Sequence, residues 1–218
     1  MTQGSGGHVA ELRGPLNTAS TLVENLLLKY TQGMDTSSVG WGCVDGPKLR
    51  FLMELHSAAT DFTERTPVLA KIAASNLLNI IDKSIEQAVT QKAIHGIPDK
   101  PGDRALFLIG HDTNLMNIAG LLNLTWIADG RRDDTPPGGA LIFELWRNRK
   151  TEQFSVRTYF TVQTLEQMRS SATLTLSNPS QRVPVFLPGC SKQDFSCPLP
   201  AFTQTVQHAI DARYVTTR

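Results

Sequence analysis

Five consecutive apolar residues, Ala105-Leu106-Phe107-Leu108-Ile109, run straight into Gly110-His111-Asp112-Thr113-Asn114. An uninterrupted apolar run of that length predicts a strand buried on both faces. Behind it Leu115, Ile118, Leu121 and Leu122 recur at helical spacing over Asn114–Asn123. A buried strand feeding a helix is half of an α/β unit. The chain has 218 residues, 40% of them hydrophobic, which is enough for one large or two small packed domains and excludes a disordered or collagen-like chain. A net charge of +1 leaves no basic field for a nucleic-acid backbone, so no nucleic-acid partner is expected. No apolar run approaches the roughly 20 residues that cross a bilayer, so no membrane association is expected. Residues 1–8 have neither a basic nor an apolar stretch, so no signal peptide is expected in the chain as given.

Upstream of that strand the pattern is helical. Residues 1–14 are polar and Gly-rich and read as a loop. From Pro15 to Tyr30, Leu16, Ala19, Val23, Leu26 and Leu27 keep helical spacing, with proline suited to the first turn and Gly33 closing the helix. A second helix is expected over Pro47–Thr63, and a third opens at Thr66-Pro67 and extends to about Lys92. The segment 15–92 is therefore mainly helical. Two prolines and two glycines between Ala93 and Asp103 mark a linker, and from 103 onward the composition turns toward strands. Ala140–Arg147 and Phe154–Val162 read as a hairpin. A short helix at Thr164–Arg169, a strand near Val183–Leu187 and a last helix over Pro200–Ala212 complete the expectation.

The chemistry concentrates at Gly110-His111-Asp112-Thr113-Asn114. Ligands of open α/β sheets sit beyond the carboxyl ends of strands, and the free N–H groups of a starting helix favour an anion. A phosphate suits that place. There His111 can hydrogen-bond a phosphoryl oxygen and offset its charge, while Asp112 in its acid form can protonate a departing alkoxide. The competing reading is that Asp112, Thr113 or Asn114 caps the helix and His111 is an ordinary polar residue at a strand end.

Cys190 and Cys197 stand seven apart in a loop that can close as a local disulfide in an oxidising compartment; two free thiols are the alternative. Cys43 is left over. No second Cys/His pair has ligand spacing, so no metal is expected.

Larger strings narrow the choice. Gly110-His111-Asp112-Thr113-Asn114, followed by the segment Asp134-Thr135-Pro136-Pro137-Gly138-Gly139 and on to Trp146, strongly resembles the C-terminal half of bacterial histidine acid phosphatases of the phytase type, in branch 2 of the histidine phosphatase superfamily. Thr161–Arg169, the Gly189-Cys190 to Cys197 loop, Ala201-Phe202-Thr203, Gln32-Gly33-Met34, Gly40-Trp41-Gly42 and Arg65-Thr66-Pro67 follow the family's order, so the resemblance extends from about Leu12 onward. It implies an α/β fold: the C-terminal part of the phosphatase sandwich over 103–218, with 15–92 supplying helices of the inserted α domain and its return to the sheet. It also implies acid phosphomonoester hydrolysis through a phosphohistidine, with His111 as phosphate ligand, Asp112 as proton donor and Thr113 reaching the substrate. A small inositol or sugar phosphate substrate, no cofactor, and a periplasmic or secreted location with disulfides belong to the same implication. The Thr113 of the His-Asp-Thr-Asn string favours the phytase-like branch over its sugar-phosphatase relatives.

One part of the pattern is missing. The family's nucleophile lies in an Arg-His-Gly-x-Arg-x-Pro motif, and no such string occurs in these residues. The family fold implies that its strand lies beside Ala105–Ile109. Ile94-His95-Gly96-Ile97-Pro98 lacks both arginines, so His95 reads as a solvated loop residue. His8 and His208 read as surface histidines, His56 as a core or cleft-lining residue, and Arg131 and Arg132 as part of a charged surface loop. The chain reads as the second half of an enzyme, inactive alone. The alternatives are a non-catalytic remnant that at most binds phosphate or a partner protein, and an unrelated helical interaction module, which would require the long C-terminal match to be accidental.

Overall fold

The structure is a computed structural model that describes residues 2–3 and 10–216, with side chains from Leu12 onward; His8 lies outside the described residues. Within the stretch expected as a loop, β1 (Thr2–Gln3) and β2 (Ala10–Glu11) pair antiparallel. The three expected helices form close to their anticipated bounds: α1 (Pro15–Thr31), α2 (Gly46–Thr63) and α3 (Pro67–Thr90). Proline opens α1 and α3, where its missing N–H would have had no intrahelical partner anyway. After the linker come α4 (Asp112–Leu122), the two-residue strands β3 (Ile127–Ala128) and β4 (Arg131–Arg132), and the hairpin β5 (Ala140–Arg147) and β6 (Phe154–Val162). The remaining elements are α5 (Leu165–Arg169), β7 (Gln181–Val185), β8 (Ser196–Pro198) and α6 (Leu199–Ala209). The last helix ends three residues short of the expected Ala212. A separate 3₁₀ turn over Ala212–Tyr214 follows, capped by the Asp211 side chain.

The principal sheet has the order β5-β6-β7, with β8 also pairing β6 antiparallel through Val156 and Cys197. Along β6, Val156, Thr158, Phe160 and Val162 are buried and alternate with half-buried neighbours. That is the period-two signature of a half-covered strand. The chain divides into two compact units, each drawing on residues from both sides of the linker. The first (1–63, 125–142, 159–184) is cored by Val23 and Leu27 of α1, Leu49 and Met53 of α2, Val39, Val44 and Leu165. Trp126 stacks on Phe160 there at 4.5 Å. In the second (64–124, 143–158, 185–218), α3 packs along α4 and α6, and Phe143 meets Phe202 edge-on.

One expectation fails. Ala105–Ile109 is not a buried strand: it forms no regular structure, Phe107 is 85% exposed and Ile109 fully exposed. The apolar pattern predicts burial on two faces, but burial needs neighbours, and no described strand lies alongside to take its N–H and C=O groups. The Cys190–Cys197 disulfide is present, with 5.1 Å between the two Cα atoms, and Cys43 is free and exposed. A loop this short contributes about 2–3 kcal/mol by chain entropy.

Candidate active site

His111 and Asp112 stand at the opening of α4 and are exposed; Thr113 is half-buried beside them. Helix α4 begins two residues before the expected Asn114, so Asp112 and Thr113 lie in its first turn. His111 is the N-cap, in extended conformation. The Asn114 side-chain oxygen accepts the His111 N–H at 2.8 Å, and the Asn114 N–H donates to the His111 carbonyl at 3.0 Å. The Asp112 carboxylate accepts the Thr113 N–H at 2.7 Å. Capping is therefore shared among His111, Asn114 and Asp112, the first two as a reciprocal capping box. The preceding glycine has a steric reason to be there, since a Cβ on Gly110 would lie 2.5 Å from the Asn114 side-chain oxygen.

Two further contacts fix this helix start, and sequence reading did not single them out. Buried Asn117 donates both to the Thr113 carbonyl at 2.5 Å and to Glu64 at 3.1 Å, tying the first turn of α4 to the residues ahead of α3. One turn further on, Gly120 lies against the backbone of Arg65, where a Cβ would come within 2.7 Å of the Arg65 Cα and carbonyl oxygen. A glycine inside a helical pattern was the available signal, because it costs about 1 kcal/mol against alanine unless something needs the space.

The other charged cluster belongs to the first unit and corrects a second expectation. Arg131 is not on the surface: it is 1% exposed, and its guanidinium bonds Asp134 at 2.6 Å and the Gln163 carbonyl at 3.3 Å, with Asp129 at 3.5 Å. Arg132 is bound to Glu54, Asp61 and Asp133. Carboxylates of the 129–134 turn take up Arg131, and Asp133 with Glu54 and Asp61 of α2 takes up Arg132. Burial pushes the Asp134 carboxyl above its ordinary range, against the lowering charges of Arg131 and His56. His56 is half-buried, with its Nδ1 3.0 Å from the Ser20 hydroxyl, as expected for a cleft or core residue. His95 and His208 are exposed. Among the described residues no group of His, Cys, Asp and Glu has the arrangement to hold a metal ion.

Residues 24–161 match the family model described as histidine phosphatase superfamily (branch 2). The chain is 37% identical to the phytase AppA of Escherichia coli (strain K12) over 201 residues, 91% of this chain and 46% of that protein. It is 30% identical to the glucose-1-phosphatase of Providencia rettgeri, over 81% of this chain and 41% of that protein. Its fold superposes on the apo form of the Hafnia alvei phytase with a TM-score of 0.82 at 37% identity, covering 94% of this chain and 50% of the other. The chain thus spans about half the length of the relatives it matches, and the expected α/β class holds.

Proposed function

Because the chain belongs to branch 2 of the histidine phosphatase superfamily, we propose that it supplies the His-Asp half of an acid phosphomonoester hydrolase that works through a phosphohistidine intermediate. The observation that carries this reading is the pair His111-Asp112 at the opening of α4, solvent-accessible and held by Asn114, Asn117 and Gly110. In the first step a histidine outside these residues attacks phosphorus. The P–O bond to the alcohol breaks, and Asp112 gives its proton to the departing oxygen. In the second step water attacks the phosphohistidine, its proton passes to Asp112, and orthophosphate leaves. His111 donates to a phosphoryl oxygen throughout, where negative charge is held in the transition state, and Thr113 contacts the substrate.

The names of the relatives, a phytase and a glucose-1-phosphatase, support a small inositol or sugar phosphate as substrate. The Cys190–Cys197 disulfide supports a periplasmic or secreted location. Exposed Ala105–Ile109 is the edge on which the strand bearing the nucleophile pairs. A second reading, a chain that binds phosphate or a partner protein without turnover, is favoured by one observation: no Arg-His-Gly-x-Arg-x-Pro string occurs in these residues. Phosphate release from inositol hexakisphosphate and p-nitrophenyl phosphate in the acid range, by this chain alone and by a chain joined to an N-terminal half carrying that motif, decides between them. Turnover by the joined protein only is the expected result. No turnover by a folded joined protein would favour the second reading.

A further inference from the structure

At the far end of α4 from His111, roughly 15 Å along an eleven-residue helix, a groove of about 390 Å3 opens between the start of α3 and the end of α6. We propose that this groove is a second anion site that takes a phosphate dianion, either free or as the phosphate of a monoester. It does not depend on the hydrolase reading. Three basic residues from separate parts of the chain line it: Arg65 ahead of α3, Lys71 in the first turns of α3, and His208 in the last turn of α6. No carboxylate is among the lining residues. The volume falls in the range of small-molecule sites, and Pro67 and Leu121 supply the apolar wall that such sites combine with a few polar groups.

The wall is built rather than accidental. Arg65 is fixed by its bond to the Leu124 carbonyl, and its backbone is held against Gly120. Lys71 and His208 supply the remaining donors. Asp211 is the acid within electrostatic reach of Lys71, but it is already engaged: the Arg213 guanidinium and N–H bond its carboxylate and hold it down to about 2. Both α4 and α6 end at the groove, and basic side chains also serve to offset the negative pole of a helix end. Arg65 does so for Leu124.

The test is calorimetric titration of the 218-residue chain with inorganic phosphate and, separately, with phenyl phosphate, beside three variants. K71Q/H208Q replaces both basic groups by neutral amides. L121E places a carboxylate in the groove and remains informative if the double variant fails to fold. H111A/D112N disables only the opening of α4. The expected result is a binding step that is weakened at least about tenfold in K71Q/H208Q or L121E and persists in H111A/D112N, beside any uptake that His111 itself contributes. Equal affinity for the two titrants assigns the site to the phosphate alone, and tighter phenyl phosphate assigns it to the ester. Absence of binding to the unaltered chain, or loss of binding in H111A/D112N alone, overturns the proposal; the second outcome leaves the hydrolase reading intact. A lowered melting temperature in K71Q/H208Q with no phosphate bound by the unaltered chain makes these residues helix-end counter-charges.

Discussion

Arg131 donates through Nη1 to Asp134 at 2.6 Å with both side chains shut away from solvent. Three residues apart in a turn-rich stretch of charges, the two would pass for surface residues in any reading of local composition. Burial makes the pair expensive to break and inexpensive to replace whole. Arg131→Met should therefore destabilise the fold by about 3–5 kcal/mol, because Asp134 is left buried without its partner. The double change Arg131→Met with Asp134→Leu should recover most of that loss. Urea midpoints at unchanged slope would measure both, and a double variant no better than the single one would contradict the account.

Gly120 should resist even alanine. An interior helical glycine normally gains roughly 1 kcal/mol on replacement by alanine, but here the added carbon meets the Arg65 backbone at 2.7 Å, which no side-chain rotation relieves. Gly120→Ala is expected to lose about 1–3 kcal/mol as overpacking. The sign alone is diagnostic, and a stabilised variant would mean that α4 can move away from Arg65 freely.

The helices were legible because their information is local: proline at the first turn and apolar residues at i, i+3 and i+4 specify α1, α2 and α3 almost to the residue. The hairpin was equally legible, since alternation along Phe154–Val162 and a polar turn identify two strands whose partner is adjacent in sequence. Ala105–Ile109 carried an equally strong strand pattern and forms none, because its partner is not adjacent and a strand alone satisfies none of its backbone groups. At the candidate site the motif located His111 and Asp112 but not what holds them. Asn117 to Glu64 and Gly120 to Arg65 span about half the second unit in sequence, and no period marks such contacts. Arg131 failed as a surface reading for a different reason: its carboxylates, Asp129 and Asp134, are neighbours in sequence, but local composition does not reveal that tertiary packing shuts them away from solvent, with the Gln163 carbonyl joining from just after β6.

Asp82 offers a pH test. It is buried on α3 with one bond, from the Thr203 hydroxyl at 3.1 Å, and burial raises its pKa above the ordinary carboxylate value despite that bond. The folded state therefore holds the proton more tightly than the unfolded one. Its stabilising contribution is complete below the unfolded value of about 3.9 and is lost as the pH rises through the folded value. Asp82→Asn keeps an acceptor for Thr203 and removes the desolvated charge. It should match the unaltered chain at the acid end and be the more stable of the two at neutral pH. Denaturation midpoints across that range measure the difference, and a less stable variant at neutral pH would refute the argument.

The exposed apolar edge should govern solubility. Phe107 and Ile109 stand open to solvent on a segment of no regular structure, and an exposed apolar strand-forming sequence is a recognised template for intermolecular pairing. Phe107→Ser with Ile109→Lys should reduce sedimenting aggregates of the chain alone and, if the proposed pairing with a nucleophile-bearing strand is right, abolish phosphatase activity in the protein joined to an N-terminal half. Unchanged aggregation would show that another surface, such as exposed Phe51 and Phe62 of α2, drives association instead.

Asp112 and His111 are adjacent, yet the proposed chemistry makes their losses differ in kind. A general acid matters in proportion to the need of the departing oxygen for a proton. In the joined protein Asp112→Asn should slow hydrolysis of alkyl phosphates by about 10²–10⁴-fold and that of p-nitrophenyl phosphate far less. His111→Ala removes a donor to the phosphoryl group, which every substrate presents, so its penalty should be similar across leaving groups. Asparagine still accepts the Thr113 N–H that Asp112 holds at 2.7 Å, so the opening of α4 stays in place and the comparison reports on the proton. Plotting the rate of each variant against leaving-group pKa separates the two roles. A steeper dependence for Asp112→Asn than for the unaltered protein is the expected result, and parallel lines for both variants would remove Asp112 from the proton-donor role.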